Sequence, residues 1–143
     1  MKGNDKAKEY LNQIRKTDHL INRLLSTVAT LRSGLTSQSY ELHPDKVLTS
    51  GAKIASEETI IKIVDLEAEI NQHIDELVNL KRAAYRMIKK ISDLNQQNIL
   101  IARYVQGLKW EAISGDVGHD VRWVYRVHRA GLISFLSVMD STL

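Results

Sequence analysis

Residues 108–136 read LKWEAISGDVGHDVRWVYRVHRAGLISFL, and the glycine at 118 divides this stretch into two apolar patterns. Taken as the residue of a tight interhelical turn, Gly118 leaves a first helix with Ile113 and small Ser114 and a second with Val124 and Val127. That is the spacing two helices need to cross steeply around a small-residue contact. At roughly 100° per residue, Val124, Val127, Gly131, Phe135 and Val138 fall within about 40° of a common direction. Arg122, Arg126 and Arg129 cluster on the opposite side. An inward apolar stripe backed by arginines is what a helix reading the major groove requires, because arginine can contact phosphate or grip guanine bidentately. A solvated basic face on a core helix is the alternative reading of the same residues.

Upstream of this stretch, Asp93-Leu94-Asn95-Gln96 reads as an N-cap followed three residues later by glutamine. The helix it opens carries Ile99, Leu100, Ala102, Arg103 and Tyr104 and ends at Gly107, a residue suited to the left-handed position after a helix C-terminus. Earlier still, the chain is patterned in heptads. Ala7, Tyr10, Ile14, Thr17, Ile21, Leu24, Val28, Leu31 and Leu35 form one seam, with Thr17 its single polar position. A second seam runs through Ile63, Leu66, Ile70, His73, Leu77, Leu80, Ala84, Met87, Ile91 and Leu94. Gly34, Pro44, Gly51 and many Ser and Thr lie between them, which predicts a helix stop near Ser33-Gly34 and a mobile connection over 33–56. Glu57 and Glu58 at the start of the second helix, and Lys89-Lys90 near its end, oppose the helix dipole favourably. Two such helices pack most simply as an antiparallel hairpin. Ile60, Ile74, Val78, Tyr85 and Ile88 widen the second stripe beyond what one partner helix covers, and Ile133 and Leu136 also need cover, so self-association is expected.

The composition agrees with a helical protein. The 143 residues are 43% hydrophobic and 26% charged, enough to bury a core, while one proline and 6% aromatics disfavour a β-sandwich or barrel. The absence of cysteine excludes a disulfide scaffold, a cysteine-ligated zinc or iron–sulfur site and a cysteine nucleophile. The N-terminal MKGNDKAKEYLNQIRK has no apolar h-region, and no apolar run approaches the roughly 18 residues of a membrane span. The expectation is therefore a cytoplasmic protein with no membrane partner. A net charge of +3 is compatible with nucleic acid but too mild to establish it, so placement must decide.

The runs Leu100-Ile101-Ala102-Arg103-Tyr104, Gly107-Leu108-Lys109-Trp110-Glu111-Ala112-Ile113, Val117-Gly118 and Arg122-Trp123-Val124-Tyr125-Arg126-Val127-His128-Arg129-Ala130 resemble region 4 of the sigma-70 family. They are more similar still to the sigma-like regulators borne by phages and prophages of Gram-positive hosts. The likeness extends over the last two thirds of the chain, taking in Ile63–Asn71 and Asp75–Arg82. It implies an all-α fold in which a helical hairpin (1–92) precedes a sigma region 4-like helix-turn-helix (93–143), and transcription control with the second helix in the major groove of double-stranded DNA. Asp120, an acceptable N-cap, is a repulsive neighbour for phosphate. Arg122 and Arg126 stand where region 4 offers glutamate and glutamine to bases, so the base preference of housekeeping promoters does not carry over.

The candidate DNA-contacting residues are thus Arg122, Arg126 and Arg129, with Trp123, Tyr125 and His119 beside them. No enzymatic motif is present: there is no G-x-x-x-x-G-K-[ST], H-E-x-x-H or G-x-S-x-G, and Gly115-Asp116-Val117-Gly118 reads as a helix end rather than a phosphate cradle. Neither catalysis nor a cofactor is expected. Glu69 and His73 are four apart, not the three of a bundle metal site, and His73 lies on the apolar seam, where a polar residue can set register. His128, between the arginine face and the core, reads as a packed histidine. Two other functions fit the same residues: an oligomeric phage packaging or scaffold component that holds DNA, and an interaction module docking on RNA polymerase.

Overall fold

Every element among the described residues is a helix. A computed structural model describes the backbone of residues 2–41 and 50–141 and the side chains of residues 4–35 and 55–141. Helix α1 spans Lys2–Glu41 and α2 spans Ser50–Ile88; α3, Leu94–Leu100, runs on into a π-helical turn over Ile101–Val105, followed by α4, Trp110–Val117, and α5, Val121–Ser141. The chain forms two compact units, one of residues 1–17 with 76–143 and one of residues 18–75. None of the described helices is long and apolar enough to cross a membrane.

In the unit 18–75 the heptad positions turn inward. Ile21, Val28, Ile63 and Ile70 are buried, and Leu24, Leu31, Leu35, Leu66 and His73 are half-buried. Arg32 of α1 pairs with Glu67 of α2, and His73 Nε2 lies 3.9 Å from Glu69 Oε1 one turn earlier. Leu20, Leu25, Ile60, Ile61, Val64 and Ile74 remain exposed, because each helix carries more apolar width than its seam uses.

The predicted stop at Ser33-Gly34 is corrected by the structure: α1 continues to Glu41, and α2 already begins at Ser50 rather than Ser56. A single helical glycine costs only about 1 kcal/mol, too little to end a long amphipathic helix. Hydroxyl residues are also accommodated in these helices. Thr17, Thr27, Thr30 and Thr59 each donate to the carbonyl four residues back, at 2.8–3.1 Å. Of the expected mobile connection, residues 42–49, Pro44 included, lie outside the described residues.

The other unit is built on a core that joins the two chain ends. Ala7, Leu11 and Ile14 of α1 and Ala84 and Ile88 of α2 pack with Ile91, Leu100, Tyr104, Leu132 and Phe135. The compact unit that holds residues 93–143 also takes in residues 1–17 and 76–92. Ile88, expected on the exposed widening of the second stripe, is fully buried in this core. The second seam also ends earlier than its spacing suggests. Helix α2 closes in tightened turns, with Lys90 N–H donating to Met87 and Ile91 N–H to Ile88, and Leu94 opens α3 as an exposed residue. The Gln97 side-chain amide donates to the carbonyl of Ile91 and, at 3.4 Å, to that of Lys89, satisfying the end of α2.

Local signals for the later helices are met. Asp93 caps α3, its carboxylate accepting from Gln96 N–H at 3.0 Å. Gly107, at φ 74°, ends the π-helical turn. The side chains of α3 pack against the α5 backbone at Gly131, where an added Cβ would sit 3.3 Å from the Leu100 side chain. Ser134 Oγ donates to Gln96 Oε1 across the same contact, at 2.6 Å.

Candidate nucleic-acid interface

Helices α4 and α5 are joined by Gly118-His119-Asp120. Gly118 takes φ 71°, and its N–H donates to the Ser114 carbonyl at 3.0 Å, ending α4 in the left-handed conformation that glycine reaches without steric cost. Asp120 then caps α5, its carboxylate accepting from Trp123 N–H at 2.9 Å. Ser114 Oγ donates to the His119 carbonyl, tying the turn to α4. Beneath the turn, Ile113 and Val124 are fully buried with Ile99 and Ala102, so α3, α4 and α5 share one small core. The side of α5 facing away from that core is held in place by it.

On α5 the predicted stripe is inward: Val124, Gly131 and Phe135 are buried and Val127 and Val138 half-buried. Arg122, Arg126 and Arg129 are all exposed along the opposite face. Among the described residues none of the three is in a salt bridge. His119 and Trp123 come together, their rings stacked at 3.7 Å and 13° at the start of α5 beside Arg122. Tyr125 turns to the other flank, its ring edge-on to Trp110 at 5.1 Å. Arg126 borders a groove against α3 with Trp123 and Gln96, whereas Arg129 borders a cleft on the Tyr125 side. The three arginines thus share a face, while Arg126 and Arg129 border different grooves. Ile133 is exposed farther along this face, and Leu136 is half-buried against the core.

Charge is divided unequally between the units. Residues 1–17 with 76–143 hold fifteen Lys and Arg against eight Asp and Glu, a net of +7, while residues 18–75 hold five against nine, a net of −4. The modest overall charge conceals a strongly basic unit, and the arginine face belongs to it.

Behind the arginine face lies a buried polar pair. Tyr104 Oη and His128 Nε2 are hydrogen-bonded at 2.8 Å, and Trp110 sits edge-on to the imidazole at 4.7 Å. Burial pushes the Tyr104 hydroxyl up to about 12. Burial, reinforced by Lys8 and Arg103, brings His128 down to about 4. Both groups are neutral near pH 7, as a packed histidine should be.

Arg103, Trp110 and Lys8 escaped sequence reasoning as a group. The Arg103 guanidinium lies over the Trp110 ring at 4.1 Å and donates to the Leu108 carbonyl at 3.0 Å, bracing the Gly107 turn. Arg15, 88 residues away in sequence, donates to the Arg103 carbonyl at 3.4 Å. The seven-residue spacing of Arg103 and Trp110 was available as a signal; the approach of α1 was not.

Compared with known proteins, residues 35–134 match the model of a family described as "Protein of unknown function (DUF1492)". No curated protein and no solved structure matches the chain.

Proposed function

The chain belongs to this DUF1492 family, and we propose that it is a DNA-binding transcriptional regulator of the phage or prophage type rather than an enzyme, reading promoter or operator DNA through a helix-turn-helix formed by α4 and α5. The observation that carries the reading is the exposed row Arg122, Arg126 and Arg129 on a helix whose opposite side is locked by Val124 and Phe135. A three-residue turn with a left-handed glycine and a capped second helix supports it. So does the net charge of +7 on the unit that bears the row, which favours approach to a polyanion. The His119–Trp123 stack adds a planar surface beside Arg122.

The arginines divide by role in this reading. Arg122 and Arg126, nearer the helix start, reach base edges, and replacing either with Ala should cost about 1–3 kcal/mol and relax specificity at one or two base positions. Arg129, farther along, meets phosphate. Arg129→Ala should weaken specific and random sites alike and lower the salt dependence by roughly one counterion. The test is a salt series for each variant on an operator selected from the surrounding genomic DNA and on random DNA. If all three bind both DNAs as the parent does, the basic face is merely solvated, and a packaging scaffold or RNA polymerase-docking role replaces the regulator.

Self-association belongs to the same proposal. The heptad seams of α1 and α2 would form an antiparallel hairpin, and the exposed Ile60, Ile61, Val64 and Ile74 leave apolar surface for a second copy. Because residues 18–75 carry −4, two copies repel there, and added salt should strengthen the dimer by screening. Light scattering at micromolar concentration across a salt series should give twice the chain mass, increasingly so at high salt. A monomeric mass throughout removes the dimer.

A further inference from the structure

Within the basic unit, a cleft of about 900 Å³ opens between the first turns of α1 and the Tyr125–Arg129 flank of α5, with Trp110 and Tyr104 in its lining. From this cleft we infer a second binding site, for a nucleoside phosphate: a small ligand that joins a polyanionic group to a planar ring. Its volume lies in the range that encloses such a molecule.

The two chemistries are laid out on different residues. Lys8, Arg103 and Arg129 bring three cations to the cleft, against the single carboxylate of Asp5. Three cations around one opening match a di- or triphosphate better than a single charge, since each added phosphate oxygen finds its own donor. Arg103 is held in the lining, its Nη1 donating to the Leu108 carbonyl and its guanidinium lying over the Trp110 ring. Burial and the nearby Arg15 hold the Arg103 guanidinium below its usual range, so an anion beside it relieves an existing strain in charge. Trp110, with the Arg103 guanidinium over its ring at 4.1 Å, meets Tyr125 edge to face at 5.1 Å, and the exposed Tyr125 and Ile133 offer a base an apolar surface beside the cations. Asn12 supplies an amide for the edge of a ring.

This site is tested without DNA, so its failure and that of the regulator reading are separable. The full chain is titrated with ATP, AMP and inorganic phosphate while the indole N–H signals of Trp110 and Trp123 are followed by NMR. ATP should bind saturably and move the Trp110 signal, with inorganic phosphate weaker by about tenfold or more, a difference of about 1.4 kcal/mol. Lys8 is exposed, so Lys8→Glu should keep the melting temperature of the parent and weaken ATP by about tenfold or more, with Lys8→Arg restoring it. Should Lys8→Glu alter the melting temperature, Asn12→Ala takes its place, with weaker ATP binding again expected. No saturation by about 10 mM ATP, far weaker than the usual affinity of such a pocket, overturns the site. So does phosphate binding as well as ATP, which would leave the aromatic wall unused, or a shift confined to Trp123, which would put the ligand on the arginine face instead.

Discussion

Residues 93–143 produced alone will fail to fold, although they contain α3, α4, α5 and the whole arginine face. The reason is the composition of their core. Leu11, Ile14 and Ile88, with 0–1% of their surface exposed, and Ile91 at 4%, all come from outside that fragment. Each such side chain contributes about 1.5–3 kcal/mol by leaving water. Their joint removal is comparable with the 5–15 kcal/mol that typically holds a domain together. In the fragment, Phe135, Tyr104 and Leu132 would face solvent instead. The expected result is a circular-dichroism melt with no cooperative transition. In the intact chain the same dependence shows as Leu11→Ala destabilising by about 2–5 kcal/mol, read in urea from the fluorescence of Trp110 and Trp123. Both tryptophans lie about a hundred residues from the substitution, so loss of their signal at lower urea reports the shared core directly. Cooperative melting of 93–143 alone would show that α1 and α2 are dispensable to it.

The second large effect is a loss of stability in mild acid caused by His128. Its ordinary value of 6.5 falls to about 4 in the fold, chiefly through burial and further through Lys8 and Arg103. Between those two values the unfolded chain binds a proton that the folded chain refuses. The stabilising contribution is complete above about pH 6.5 and declines as the pH falls toward 4, by up to about 1.4 kcal/mol per pH unit and about 3 kcal/mol in all. Below pH 4 both states carry the proton, and this residue adds no further loss. Urea midpoints measured from pH 7.5 down to 4 should trace that decline. In His128→Gln, which keeps a hydrogen-bonding partner for Tyr104 but cannot titrate, the curve should start lower and run flatter over the same range. Equal slopes in the two proteins would mean that other groups cause the acid sensitivity.

Much of the arginine face was legible in the sequence because its determinants are local. The Asp93 and Asp120 caps act across three residues, Gly118 fixes its own backbone, and Val124, Gly131 and Phe135 turn inward together through helical periodicity alone. Where local signals of opposite sense compete, the reading fails. Ser33-Gly34 resembles a stop, yet α1 runs through it, since propensities of about 1 kcal/mol yield to a long amphipathic pattern. The heptad count likewise passed through Ile91 to Leu94, because a period does not record where a chain turns.

By itself, then, the sequence determined the helices, the caps, the α4–α5 turn and the outward arginines, all properties of residues within a turn or two of one another. Only the tertiary structure decided that the first turns of α1 and the last of α2 share a core with Phe135. It alone brought Arg15 to the Arg103 carbonyl and Lys8 to a cleft shared with Trp110 and Arg129. The physical reason is that apolar burial has no direction: a stripe specifies that it must be covered, and which distant stripe covers it follows from the packing of the whole chain.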